Sequence, residues 1–129
     1  MGVFKQYLAV MIGGAIGAVG RYGVSVWVPA DPWKVLLINW VGCFVLGFFT
    51  AFAVRTGRVS DVVRVGVGTG VLGGFTTFST FSLDAVKLME QDLWLDVALY
   101  VVGSLVGGVA LAWVGTMLGR RGRVQEVNS

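Results

Sequence analysis

Residues 73–82 read Gly-Gly-Phe-Thr-Thr-Phe-Ser-Thr-Phe-Ser and lie in an otherwise apolar stretch between Arg64 and Asp84. Two adjacent glycines weaken an α-helix, and the residues after them combine hydroxyl groups with phenyl rings. A broken helix at membrane depth is tolerated where it is buried in protein or lines a cavity, and in transporters such breaks bind ions. We therefore predict a membrane helix that is interrupted at this point.

The composition of the whole chain is that of a small integral membrane protein. Of its 129 residues, 56% are hydrophobic and only 13% are charged, whereas soluble domains carry about 25% charged residues. A body of this size has too much surface to hide so much apolar material. The chain has no His and a single Cys. A zinc site, a Cys–His nucleophile pair and an internal disulfide are therefore excluded by count, and we expect no enzyme.

Four apolar runs are long enough to cross a bilayer as helices. The first follows Lys5 and is interrupted by Arg21, and the others are residues 35–54, 65–83 and 97–119. About 20 residues at a rise of 1.5 Å cross a hydrocarbon core of about 30 Å. We predict an all-α integral membrane protein with one domain (1–129). Its expected spans are roughly 4–28, 35–54, 62–88 and 94–118, with a turn at 29–32 and a polar tail at 120–129.

The basic residues are distributed unequally between the two predicted membrane faces. Seven lie at one face and three at the other, which predicts that both termini are cytoplasmic. Basic residues between apolar runs also differ from the clustered, solvated patch of a nucleic-acid binder, so we expect no nucleic-acid partner. The seven are Lys5, Arg55, Arg58, Arg64, Arg120, Arg121 and Arg123, and the three are Arg21, Lys34 and Lys87.

Glycine pairs at a spacing of four recur in three of the runs, and in apolar helices this spacing lets backbones approach closely. Four helices packed this closely leave little room for an aqueous path inside one chain. We therefore expect a polar path to lie between chains, and hence an oligomer. The pairs are Gly13/Gly17, Gly66/Gly70, Gly70/Gly74, Gly103/Gly107 and Gly115/Gly119.

Several polar side chains fall inside the predicted spans. Arg21 either is a functional residue within the span or extends from it to the interface, and in either case it would place positive charge at a pore mouth. Asn39 either bonds a neighbouring helix or presents its amide N–H to an anion path. Tyr100 and Ser104 are four residues apart, so they share a helix face and both offer hydroxyl donors.

Two further expectations follow from the same pattern. Phe75, Phe78 and Phe81 recur at three and share a face if the helix resumes after the break. Every acidic residue, including Asp84, falls at an end, in a linker or in the tail. A path of donors and ring edges without carboxylates favours a small anion over proton-coupled cation export, because the edge of a phenyl ring carries positive potential.

The sequence resembles the Fluc (CrcB) family of fluoride channels over its whole length. Residues 73–81 resemble the signature of that family, residues 13–22 its first-helix motif and residues 39–47 its second. The resemblance implies an antiparallel, dual-topology homodimer in the inner (plasma) membrane, with two fluoride pores lined by both chains.

The resemblance also implies roles for individual residues. The fluoride pore would be lined by Asn39, Phe78, Phe81, Ser79, Thr80, Tyr100 and Ser104. Arg21 would supply charge at the vestibule. Main-chain carbonyls of Gly73 and Thr76 from each chain would hold one structural Na⁺ at the dimer interface. The expected partners are fluoride, the lipid bilayer and a second copy of the chain.

Two other interpretations remain open from sequence. A small dual-topology multidrug exporter would need an acidic residue in its first helix, and residues 6–28 contain none. A non-transporting membrane scaffold would show glycine packing without a polar cluster in the spans.

Overall fold

The computed structural model describes residues 2–28 and 32–121, and every regular element in these ranges is helical. The predicted turn at 29–32 lies mostly outside them, as does the predicted polar tail from residue 122 onwards. A π-helical segment, Gly66–Val71, lies between the third and fourth helices. The helices, in chain order, are α1 (Gly2–Trp27), α2 (Trp33–Thr56), α3 (Asp61–Val65), α4 (Leu72–Phe75), α5 (Ser79–Glu90) and α6 (Trp94–Arg120).

Within the described ranges, α1, α2 and α6 are long and apolar enough to cross a membrane. The shortest, α2, has 24 residues, so at 1.5 Å per residue it extends about 36 Å. Their outward surfaces are apolar: Val19 is 71% exposed and Val109 72%. Large apolar side chains on the outside are stable where lipid covers them, which agrees with the predicted membrane protein.

The third apolar run forms a chain of short pieces rather than one helix. The predicted interruption is present, because α4 ends at Phe75 and α5 begins at Ser79. Thr76 has an extended backbone (φ −79°, ψ 159°), which takes its carbonyl out of the helical direction. The π-helical segment before α4 was not predicted. It coincides with three glycines at alternate positions, Gly66, Gly68 and Gly70, which lower the preference for a regular α-helix.

Helix α1 packs in parallel along the third run. Ala9 lies against Gly66 and Gly13 against Gly70. At Gly17 the approach is so close that a Cβ atom would overlap the carbonyl oxygen of Val71. Glycine is therefore required there, as the spacing of four predicted.

Helices α2 and α6 form a second parallel pair. A Cβ atom at Gly115 would overlap the carbonyl oxygen of Phe44, and one at Gly119 would lie 2.6 Å from that of Phe48. The α2 helix ends at Gly57, which adopts a left-handed conformation (φ 63°). These two tight pairs leave one groove between α2, the broken run and α6, and the candidate site lies there.

Candidate functional site

The break in the third run is held by the side chain of Asn39 on α2. The Asn39 amide Nδ2 donates to the carbonyl oxygen of Thr77, and the backbone N–H of Thr77 donates to Asn39 Oδ1, both at 2.9 Å. The amide thus replaces the backbone partners that Thr77 loses where the helix stops. Of the two roles that the sequence left open for Asn39, this contact supplies the bond between helices, and one N–H of its amide remains for another acceptor.

The break also takes two carbonyl oxygens, those of Gly73 and Thr76, out of the helical hydrogen-bond pattern. In a continuous helix the N–H of Thr77 would donate to the carbonyl of Gly73, but here it donates to Asn39. The carbonyl of Thr76 accepts a long hydrogen bond of 3.5 Å from Arg21 Nη1. Gly73 and Thr76 are the residues that the resemblance assigns to a Na⁺ site. Freed carbonyls are suitable ligands for a hard cation, although the guanidinium of Arg21 contacts one of them.

The hydroxyl of Thr77 organises the start of α5. It accepts from the backbone N–H of Thr80 at 3.2 Å, and it lies 3.3 Å from both the Ser79 and Thr80 hydroxyl oxygens. Thr77 is buried. Sequence reasoning did not include Thr77 among the site residues, although a Thr beside a helix start is a familiar capping signal.

A groove of about 340 Å³ runs beside the break, between α2 and α6. It brings together six of the predicted site residues, and no acidic residue lines it. Those six are Asn39, Gly73, Thr76, Phe78, Phe81 and Ser104. The groove is mainly apolar, with a few polar groups that converge on it, which is the usual character of a small-ligand site.

Ser104 contributes an unsatisfied hydroxyl to this groove. Its Oγ is buried and has no hydrogen-bond partner among the described residues. Burying a hydroxyl without a partner costs about 1–3 kcal/mol. A ligand or an ordered water in the groove would satisfy this hydroxyl.

The two aromatic rings of the groove lie side by side. Phe78 and Phe81 have ring centroids 5.9 Å apart and planes tilted by 37°. Phe78 is 79% exposed in the single chain. Phe75 is elsewhere: its ring lies near Gly20 and Gly42, between α1 and α2. The expectation that the three rings share a face is therefore wrong, because the break rotates the chain after Phe75.

Tyr100 is fully buried and does not line the groove. Its hydroxyl donates to Asp84 Oδ2 at 3.3 Å, and its ring stacks on Phe81 at 5.1 Å between centroids. Asp84 is itself 8% exposed, within α5. The expectation that every acidic residue lies at an end or in a linker is therefore wrong for Asp84, because α5 continues past the end of the apolar run.

The remaining predicted residues lie on the other side of the break. Arg21 and Thr80 line a second cavity of about 310 Å³ together with Lys34 and Thr77. Ser79 is exposed at the start of α5. The predicted residues thus form two neighbouring groups separated by the Asn39–Thr77 contact, with Tyr100 behind them.

Comparison with known proteins identifies the family. The family model described as "CrcB-like protein, Camphor Resistance (CrcB)" matches residues 8–116. "Fluoride-specific ion channel FluC" of Agrobacterium fabrum is 46% identical, covering 86% of this chain and 93% of that protein. "Fluoride-specific ion channel FluC 2" of Listeria monocytogenes serotype 4b is 38% identical, covering 89% and 91%. With three long apolar helices, this chain is a multi-pass membrane protein, and it belongs to the CrcB family.

Proposed function

We propose that this protein is a passive, fluoride-selective channel and not an enzyme. The observation that carries the proposal is the groove beside the break, where an amide, an unpartnered hydroxyl and two phenyl rings converge without an acidic residue. The names of its relatives, fluoride-specific ion channels, supply the identity of the ion.

The groove offers fluoride a replacement for its water. The free N–H of Asn39 and the hydroxyl of Ser104 are donors, and the edges of Phe78 and Phe81 carry the positive side of the ring quadrupole. Asn39 is held rigidly by its two bonds to Thr77. Rigid donors that are fixed before the ion arrives favour a small, strongly hydrated anion over a larger one.

Export follows from acid–base chemistry and the membrane potential. Neutral HF crosses lipid and dissociates in a near-neutral cytoplasm, which traps fluoride. A pore in the inner (plasma) membrane lets a negative-inside potential drive the anion outwards, with about 2.3 kcal/mol per charge for each 100 mV. This mechanism needs neither ATP nor a coupled proton.

We further propose that Asp61–Glu90, with its break, is a fourth membrane crossing and that two chains pair antiparallel. Phe78 is exposed in the single chain, and the faces of Gly73 and Gly103 are open. A second copy would cover these surfaces and complete each pore. Tags at both termini test the arrangement by protease access in intact spheroplasts, where the cell itself has inserted the protein and only the outer face is exposed. Cleavage of half of each tag from one side supports dual topology, and cleavage of all or none contradicts it.

The freed carbonyls of Gly73 and Thr76 are the residues that would hold Na⁺ in such a dimer. A cation there would offset the negative ends of carbonyl groups brought together from two chains. The Arg21 guanidinium would then shift away from the Thr76 carbonyl, because the guanidinium and Na⁺ are both positively charged.

A buried Asp84 is the observation that favours the second candidate, a proton-coupled exporter. Such exporters exchange protons for substrate on a carboxylate. Against this, Asp84 accepts a hydrogen bond from Tyr100 and does not line the groove. Asp84→Asn keeps an acceptor for Tyr100. Retained fluoride flux in that variant supports the channel, and loss of a proton-driven flux supports the exporter.

Fluoride efflux from liposomes tests the main proposal. Purified protein in vesicles loaded with potassium fluoride should release fluoride when valinomycin is added, and vesicles loaded with potassium chloride should release little. Protein-free vesicles are the control. Equal rates for the two anions would reject fluoride selectivity.

A further inference from the structure

A third cavity, with a cationic lining, lies where α2 and α6 end together. It has a volume of about 350 Å³ and is separate from the groove beside the break. None of the residues that line it is acidic, and two are arginines. The lining residues are Thr50, Ala51, Val54, Arg55, Thr116 and Arg120.

The guanidinium of Arg55 is fixed through its Nε atom, which leaves its two terminal nitrogens, Nη1 and Nη2, available to a ligand. Its Nε donates to the carbonyl oxygen of Gly119 at 2.9 Å, and its Cζ lies 5.3 Å from the centroid of the Phe52 ring. The terminal nitrogens have no hydrogen-bond partner among the described residues. A guanidinium fixed in this way loses little conformational freedom when it binds two oxygens of a phosphate.

Two further groups converge on the same cavity. Arg120 is exposed in the last turn of α6, and the hydroxyl of Thr50 has no partner within residues 2–28 and 32–121. The wall is completed by apolar side chains, of which Val54 is 65% exposed. The cavity therefore offers cationic donors beside an apolar surface.

The cavity lies at the level that lipid headgroups occupy in a membrane. α2 ends at Thr56 and α6 at Arg120, so the cavity lies where two spanning helices leave the hydrocarbon. Anionic headgroups and juxtamembrane arginines attract one another at this level. Free phosphate has the same chemistry, but it gains nothing from the apolar wall formed by Ala51 and Val54.

We propose that this cavity binds the phosphate of an anionic phospholipid, with Arg55 and Arg120 as its cationic donors and Thr50 as a hydroxyl donor. The apolar wall contacts the start of an acyl chain. This assignment concerns membrane association and does not depend on which ion the protein conducts.

Native mass spectrometry of the full-length protein, titrated with phosphatidylglycerol in a neutral detergent, tests the proposal. Arg120→Gln should weaken the first bound phosphatidylglycerol about fivefold. Arg58→Gln is the matched control, because it removes the same charge from an exposed loop residue outside the cavity and should change that affinity less than about twofold. Arg55→Lys keeps the positive charge but replaces the two terminal guanidinium nitrogens with a single ammonium group, so it should also weaken phosphatidylglycerol binding.

Each outcome distinguishes the proposal from its competitors. Equal losses in Arg120→Gln and Arg58→Gln would mean diffuse attraction and would overturn a built site. Equal affinity for phosphatidylcholine would do the same. Inorganic phosphate that displaces phosphatidylglycerol at equal concentration would assign the cavity to a soluble anion. Because Arg120 is exposed, its variant tests the site without disturbing the packing of α2 and α6.

Discussion

Asn39 links the fold to the proposed pore, and replacing it tests both. Asn39→Leu keeps most of the side-chain volume but removes both 2.9 Å hydrogen bonds to Thr77. Each backbone group left without a partner in a poorly hydrated place costs about 1–3 kcal/mol. The two together therefore lower the free energy of unfolding by about 2–6 kcal/mol.

The measurement is the melting temperature of detergent-solubilised protein, followed by tryptophan fluorescence. With about 4 °C for each kcal/mol in a chain of this size, Asn39→Leu should melt at least about 8 °C below the wild type. Fluoride efflux at a temperature where the variant is folded should also fall, because the rigid amide donor is gone.

Thr69→Val is the matched control for this substitution. Thr69 is exposed in the π-helical segment, and its side chain makes no hydrogen bond with the described residues. Its replacement should leave both the melting temperature and the efflux unchanged. The reasoning would be refuted if Asn39→Leu had the same melting temperature as Thr69→Val and the same fluoride efflux as the wild type.

Three further predictions concern neighbouring residues. Ser104→Ala removes a buried hydroxyl without a partner, so the melting temperature should stay equal or rise while fluoride efflux falls; a fall in both would contradict a ligand-facing donor. Gly17→Val should lower stability by about 1–3 kcal/mol, because its side chain would overlap the backbone of Val71. Gly23→Ala, in the same helix, meets open space and should fold normally; similar melting temperatures for these two variants would be inconsistent with the packing. Phe78→Ile should reduce efflux while the protein still elutes as a dimer, because isoleucine keeps an apolar side chain at this position but has no ring edge. Normal efflux would argue against contact between the ring and the ion.

The long helices could be predicted because an apolar run of about 20 residues in lipid is compatible with few structures other than a helix. The chain between Trp33 and Thr56 has one outcome in lipid, since its backbone groups must bond internally. The break could be predicted because adjacent glycines and hydroxyls interrupt the third run at one place. The π-helical segment could not, because glycine at alternate positions weakens a helix without specifying how its turns widen.

The partners of individual polar groups depended on three-dimensional packing. Asn39 and Thr77 are 38 residues apart, and nothing in either local sequence links them. Asp84 follows the last residue of an apolar run, so counting charges placed it at an end, whereas packing of Tyr100 over α5 buries it. Whether a polar residue faces the groove or the interior therefore required the positions of neighbouring helices.

The dependence of fluoride efflux on valinomycin tests the central claim most directly. A passive channel carries charge, so potassium-fluoride-loaded vesicles should release little fluoride until valinomycin lets potassium follow, and then release it rapidly. A carrier that moves fluoride together with a proton transfers no net charge, so it would release fluoride at the same rate with or without valinomycin. Rapid release that begins only with valinomycin is the result expected here, and release that is indifferent to valinomycin would contradict the account.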